Sequence, residues 1–194
     1  MKLLTRNAAV LALLLSALIT GSAQSATVPP PRCLALTGIS HCYSPAQIRS
    51  IYNVNPLIRK GDTGKGETIA IIVSYGSPTL RADLHDFDAA FGLPDPELQI
   101  VSPLGTAPPD GIGWVVETTM DVEWAHVMAP DAKLLVLTSP VDETEGVQGL
   151  PQFLKLLQYA RAHGASVISQ SWGATEKTLE TKKGRAIVAK LHAF

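Results

Sequence analysis

The chain has 194 residues, a formal net charge of −1 and 46% hydrophobic residues. That length admits one domain with a real core, and a near-neutral charge without a basic stripe argues against a nucleic acid partner. No stretch beyond residue 26 approaches membrane-spanning length, which argues against a membrane-embedded protein.

The elements follow in chain order. Lys2 and Arg6 give a charged start, Ala8 to Thr20 an apolar run, and Gly21 to Ala26 a small-residue tract suited to signal peptidase. Residues 1–26 therefore read as a secretory signal peptide, and a secreted or periplasmic location is expected. Residues 27–42 form a Pro-rich linker containing Cys33 and Cys42. In an oxidising compartment the simplest reading is one disulfide closing a small loop. A metal pair or a reactive thiol is the alternative, with His41 alone insufficient to complete a zinc set.

Ser44-Pro45-Ala46-Gln47 opens a short helix through Tyr52, with Ser44 as N-cap and Pro45 at the first helical position. Gly61 to Gly66 is a tight loop leading into Thr68–Ser74, an apolar run suited to a strand buried on both faces. Leu80–Phe91 reads as a helix stopped at Gly92 with Pro94 just beyond, and Leu98–Val101 as a short strand. A Pro- and Gly-rich loop, Ser102 to Gly113, precedes a helix over Trp114–Ala129 that Pro130 closes. Lys133–Thr138 is a buried strand, Val147–His163 a helix stopped at Gly164, and Ser166–Ser171 another strand. This alternation predicts an α/β domain with a parallel sheet. The segment from Ala174 is crowded with Lys177, Lys182, Lys183, Arg185 and Lys190 and is only weakly helical. With no further strand to cover the sheet edge, the domain reads as incomplete at its C-terminus.

Chemistry concentrates in the helix after Gly113. Glu117 and Asp121 stand four residues apart, about 40° on one face at about 100° per residue. On a helical wheel Glu117 falls between Trp124 and Met128, and Asp121 between Met128 and Trp114. Thr119, Glu123 and His126 make up the polar face. An acid pair among large apolar side chains is costly to bury doubly charged, so it is expected to share a proton. That is the arrangement of carboxylate dyads that handle protons. The bland alternative is a first helical turn whose acids favour the helix dipole. In a parallel sheet, sites form at the carboxyl ends of strands. Glu117, early in its helix, and Gly173, directly after a strand, could therefore line one crevice.

Three further motifs are weaker. Glu123-Trp-Ala-His126 has the Glu-x-x-His spacing of di-iron bundles, but occurs once and on the expected solvent face. Asp62-Thr63-Gly64 looks like an aspartic protease triplet and reads better as a turn. Gly61–Gly66 has no strand leading in and no helix leading out, unlike a phosphate loop.

Tyr43-Ser-Pro-Ala-Gln-Ile-Arg49, Gly64-Lys-Gly-Glu-Thr-Ile-Ala-Ile-Ile72, Tyr75-Gly-Ser-Pro78 and Asp88-Ala-Ala-Phe-Gly-Leu-Pro94 come before the acid helix, with Ser171-Trp172-Gly173 after it. This ordered series resembles the first part of a sedolisin catalytic domain, across residues 43 to 173, roughly two thirds of the chain. Sedolisins are acid-acting serine-carboxyl peptidases with a subtilisin-like, three-layer α/β fold. The resemblance implies a partial peptidase domain over residues 43–194, a polypeptide substrate and a monomer. It makes Glu117 the general base and Asp121 the acid that orients it. Ser171, Trp172 and Gly173 become the strand that binds the substrate backbone. The family's Gly-Thr-Ser nucleophile segment, its oxyanion-hole Asp and its C-terminal calcium site have no counterpart here. The expectation is thus an inactive chain with no cofactor of its own, calcium being implied for the complete domain only. The alternative is a non-catalytic fragment that keeps part of a peptide-binding groove. Val73 stands where relatives often carry Asp.

Overall fold

The computed structural model describes residues 42–108, 113–142 and 147–193. The expected signal peptide and most of the linker lie outside them, as does Cys33, one end of the expected Cys33–Cys42 bridge. Two short helices, α1 (Pro45–Ile51) and α2 (Asn55–Arg59), precede a repeating unit of strand and helix. The order continues β1 (Thr68–Ser74), α3 (Leu80–Phe91), β2 (Leu98–Val101), α4 (Val115–Met128), β3 (Lys133–Ser139), α5 (Leu150–Ala162) and β4 (Val167–Gln170). Then come α6 (Glu176–Leu179) and α7 (Lys182–His192).

The four strands form one sheet in the order β2-β3-β1-β4, and every pairing is parallel. β1 sits inside, with Ile71 opposite Val136 of β3 and Ser169 of β4. Alternate strand residues face opposite sides, and the packing separates on that basis. Ala70 and Ile72 join Leu135, Leu137 and the α5 residues Phe153, Leu156 and Ala160 in one cluster. Ile71 and Val73 join Leu134, Val136, Leu80, Leu84 and the α4 residue Val122 in another. Helices therefore cover both faces, and the expected three-layer α/β architecture is what the chain forms.

Local signals act as the sequence suggests. Ser44 and Gln47 make a reciprocal capping box on α1. α3 ends on Gly92 at φ 68°, a left-handed C-cap. Gly64, at φ 80°, faces Ala129 and Ala132 so closely that an added Cβ would sit 2.9 Å from the Ala129 Cβ. Thr63 lends its carbonyl to the Asp131 N–H at 2.9 Å, so Asp62-Thr63-Gly64 is a packed turn joining β1 to the end of α4.

Three expectations need correction. α5 begins at Leu150 rather than Val147, because Pro151 belongs in a first helical turn. β4 spans only Val167–Gln170, shorter than the expected Ser166–Ser171, because it is an edge strand, on which Val167 is 56% exposed. The lysine-rich tail is more helical than its composition suggests. The Thr181 hydroxyl accepts from the Gly184 N–H at 3.0 Å, α7 buries Ile187, and Leu191 packs against the α5 face of the sheet.

Phe153 is fully buried under Trp172, with ring centroids 4.5 Å apart. Phe153→Ala removes both the core volume and the support beneath Trp172. It is expected to cost about 3–5 kcal/mol, read as a lowered urea midpoint.

Candidate active site

In a parallel α/β sheet the helix N-termini gather at the carboxyl edge of the strands. Here that edge brings α4 toward the residues following β4. Glu117 lies in the first turn of α4 and Asp121 one turn later, both half-buried. The helix is fastened at both tips. The Trp114 indole Nε1 donates to Asp142 Oδ2 at 3.2 Å, and Arg49 Nε donates to the Val127 carbonyl at 2.6 Å.

Glu117 and Ser171 are the groups that act on the Asp121 carboxyl, whose Oδ2 is buried with no hydrogen-bond partner. Burial holds the Asp121 carboxyl above its ordinary value. The Ser171 hydroxyl opposes that rise, and the negative charge of Glu117 adds to it. Each cause fits the geometry: desolvation penalises the anion, a donor stabilises it, and a neighbouring acid repels it.

The structure thus brings Glu117, Asp121 and Ser171 together. Trp172 turns inward onto Phe153, its Nε1 buried without a partner, and Gly173 is exposed at the rim. The contact between Asp121 and Ser171 is not legible from sequence, because it joins two elements separated by β3 and α5. The anchor from Asp142 to Trp114 is equally remote.

The other flank of α4 differs from expectation. His126 is fully buried rather than solvent-facing, and Glu123 is half-buried, because α3 packs along that side. His126 Nε2 donates to the Pro94 carbonyl at 2.8 Å and lies 3.3 Å from Asp88 Oδ1, itself buried. Burial lowers the His126 pKa, with the Pro94 carbonyl opposing. Asp88 is pushed up to about 7, mainly by burial and then by Asp95, with His85 opposing. Glu123 is pushed up to about 7 by burial first, then by Asp83 and Asp88. The Glu-x-x-His spacing therefore serves an α3–α4 contact. Among the described residues no group of three His, Cys, Asp or Glu side chains is placed to hold a metal ion.

Two hollows lie elsewhere. One of about 600 Å³ runs between α5 and α7 past Arg161 and Lys190. Another, of about 410 Å³, lies by Lys65, Glu97 and Lys133, at the amino ends of the strands. Neither includes Glu117, Asp121 or Ser171.

No protein-family model matches the chain. Kumamolisin from Bacillus sp. (strain MN-32) is 29% identical over 139 residues, which make up 69% of this chain and 23% of kumamolisin. The chain thus spans about a quarter of the length of that curated relative. Among solved structures, Pseudomonas sedolisin (serine-carboxyl proteinase) complexed with two molecules of pseudo-iodotyrostatin is 26% identical. That similarity covers 68% of this chain and 37% of the sedolisin chain, with a TM-score of 0.47. The likeness to kumamolisin supports a sedolisin-family relationship over part of the chain.

The buried carboxyls set a pH dependence of stability. Asp88, raised in the fold, keeps its proton where the unfolded chain has lost it. Its ionisation therefore costs stability progressively as pH climbs from about 4 to about 7. Asp88→Asn removes that cost. The variant is expected to gain in urea midpoint over the parent at pH 7.5, and the gain is expected to vanish at pH 4. His126, lowered in the fold, works in the opposite sense: stability falls as pH drops below its unfolded value of 6.5. That loss sets in below pH 6.5 and leaves the comparison at pH 7.5 unaffected.

Proposed function

We propose that this chain forms the general-base and substrate-strand side of a serine-carboxyl peptidase site of the sedolisin type, acting in acid on polypeptides outside the cytoplasm. The observation that carries the reading is Asp121. This half-buried carboxyl has a raised proton affinity, stands one turn from Glu117 and is joined to the first residue of Ser171-Trp172-Gly173.

In this reading Glu117 takes the proton from an attacking serine hydroxyl as that oxygen bonds to the scissile carbonyl carbon. It later returns the proton to the leaving amine. Asp121, one turn along the same helix, orients Glu117. A carboxylate base remains partly unprotonated at a pH where an imidazole base is fully protonated, which accounts for acid operation. Ser171, Trp172 and Gly173 extend β4 beyond its last paired residue, which suits pairing with an extended peptide backbone. No step here depends on calcium, which the resemblance implies for the complete domain only.

The sequence contains no Gly-Thr-Ser segment. Loss of an oxyanion donor alone costs about 10²–10³ in rate, and loss of the nucleophile removes covalent catalysis altogether. The chain by itself is accordingly expected to bind peptide without hydrolysing it.

The test is an assay of the purified chain on a denatured protein between pH 3 and pH 7, paired with peptide binding followed by isothermal titration calorimetry. Binding without cleavage is the expected result. Cleavage that disappears in Glu117→Gln would overturn the inactivity, and absence of binding would overturn the groove. In a form completed with a nucleophile-bearing segment, Glu117→Ala is expected to lower kcat by about 10²–10⁴-fold with an unchanged unfolding midpoint. Unaltered turnover there removes Glu117 from the role of base.

A further inference from the structure

Asp88 of α3 and His126 of α4 are buried together on the flank away from the acid pair, and the proposed chemistry uses neither. Their side chains are 1% and 0% exposed, with His126 Nε2 at 3.3 Å from Asp88 Oδ1. The Pro94 carbonyl, 2.8 Å from the same nitrogen, can only accept, so Nε2 keeps its hydrogen. The exchangeable sites are then His126 Nδ1 and the Asp88 carboxyl. Nδ1 and both Asp88 oxygens are buried without a hydrogen-bond partner. A net charge on so enclosed a pair is costly. The pair is uncharged when it holds one exchangeable proton, whether on the carboxyl or on the ring.

The unfolded chain holds the same number over a wide range. There Asp loses its proton at about pH 3.9 and His keeps its own up to about 6.5. Stability depends on pH only where folded and unfolded chains bind different numbers of protons. We propose that Asp88 and His126 form a proton-balanced joint, which makes the docking of α3 on α4 indifferent to pH between about 4 and 6.5. Taken singly, the two groups pull in opposite directions. Asp88, pushed up to about 7 mainly by burial, costs stability as pH rises through that range. His126, lowered by burial, costs it as pH falls. Other charged groups face the pair from several elements. Glu123 lies on α4 itself, His85 and Asp95 beside α3, Arg49 on α1 and Asp131 after α4, while Asp83 of α3 acts on Glu123. β1 and β3 contribute the apolar Ile71, Val73, Leu134 and Val136 on this side of the sheet.

The test needs neither turnover nor the peptidase reading. Unfolding constants of the full chain at one urea concentration are followed by circular dichroism between pH 4 and pH 6.5. The parent is compared with Asp88→Asn, His126→Gln and the double variant, which lacks both groups and so carries the contribution of Glu123 and the rest. The ratio of parent to double variant is expected to be flat. Asp88→Asn leaves His126 unbalanced, and its unfolding constant is expected to rise by close to tenfold per pH unit as pH falls. His126→Gln, whose amide can still donate to Pro94, leaves Asp88 unbalanced, with a rise of similar size per unit as pH climbs. If the double variant does not fold, the ratio of either single variant to the parent shows the same slope. A single variant without a slope overturns the proposal, as do two slopes of one sign or a sloping parent. The parent also supplies a check that needs no variant. Side-chain NMR signals of Asp88 and His126 are expected to stay constant across the range, and titration of either within it overturns the balance.

Discussion

Two-sided burial of β1 is the constraint on which the rest of the molecule depends. Ile71, Ile72 and Val73 are fully buried, and their side chains alternate between the two clusters above and below the sheet. A strand apolar on both faces needs neighbours on both edges and helices on both sides. β3 and β4 supply the first, α4 and α5 the second. Parallel pairing then carries all strand carboxyl ends to one edge. That placement delivers Ser171 to the α4 flank that bears Asp121, so the geometry of the acid pair is a by-product of how the core is filled.

α4 carries desolvated acids along both flanks, and their partners distinguish them. On the β4 side Asp121 meets a hydroxyl that can both donate and accept. On the α3 side Asp88 and His126 meet each other and the Pro94 carbonyl, which only accepts. Burial disfavours the charged carboxylate on both flanks. A helix of fourteen residues thus turns one flank to the end of β4 and packs the other against α3.

Much of this was legible in the sequence. The run Thr68–Ser74, the cap at Ser44, the stop at Gly92 and the acids at Glu117 and Asp121 are local signals, and each forms the element it suggests. What escaped was non-local. A helical wheel describes α4 alone, and so assigned His126 to water without knowing that α3 would cover that face. The bounds of β4 fell short of Ser166–Ser171 because strand order, invisible in one sequence, made β4 an edge. α2 escaped too, since Asn55-Pro56 reads as a turn as readily as a helix start. In the tail, charge density obscured the apolar stripe of Ile187 and Leu191 that docks α7.

Fastening α4 at both tips, through Arg49 to Val127 and Trp114 to Asp142, has a mechanical consequence. A rod clamped at each end resists sliding along its axis and rolling about it. In the proposed peptidase reading, accommodation of a peptide is then left to the opposite wall, where the backbone leaves the sheet after Gln170. Such an arrangement keeps reorganisation small at the acids and concentrates compliance where shape has to be read.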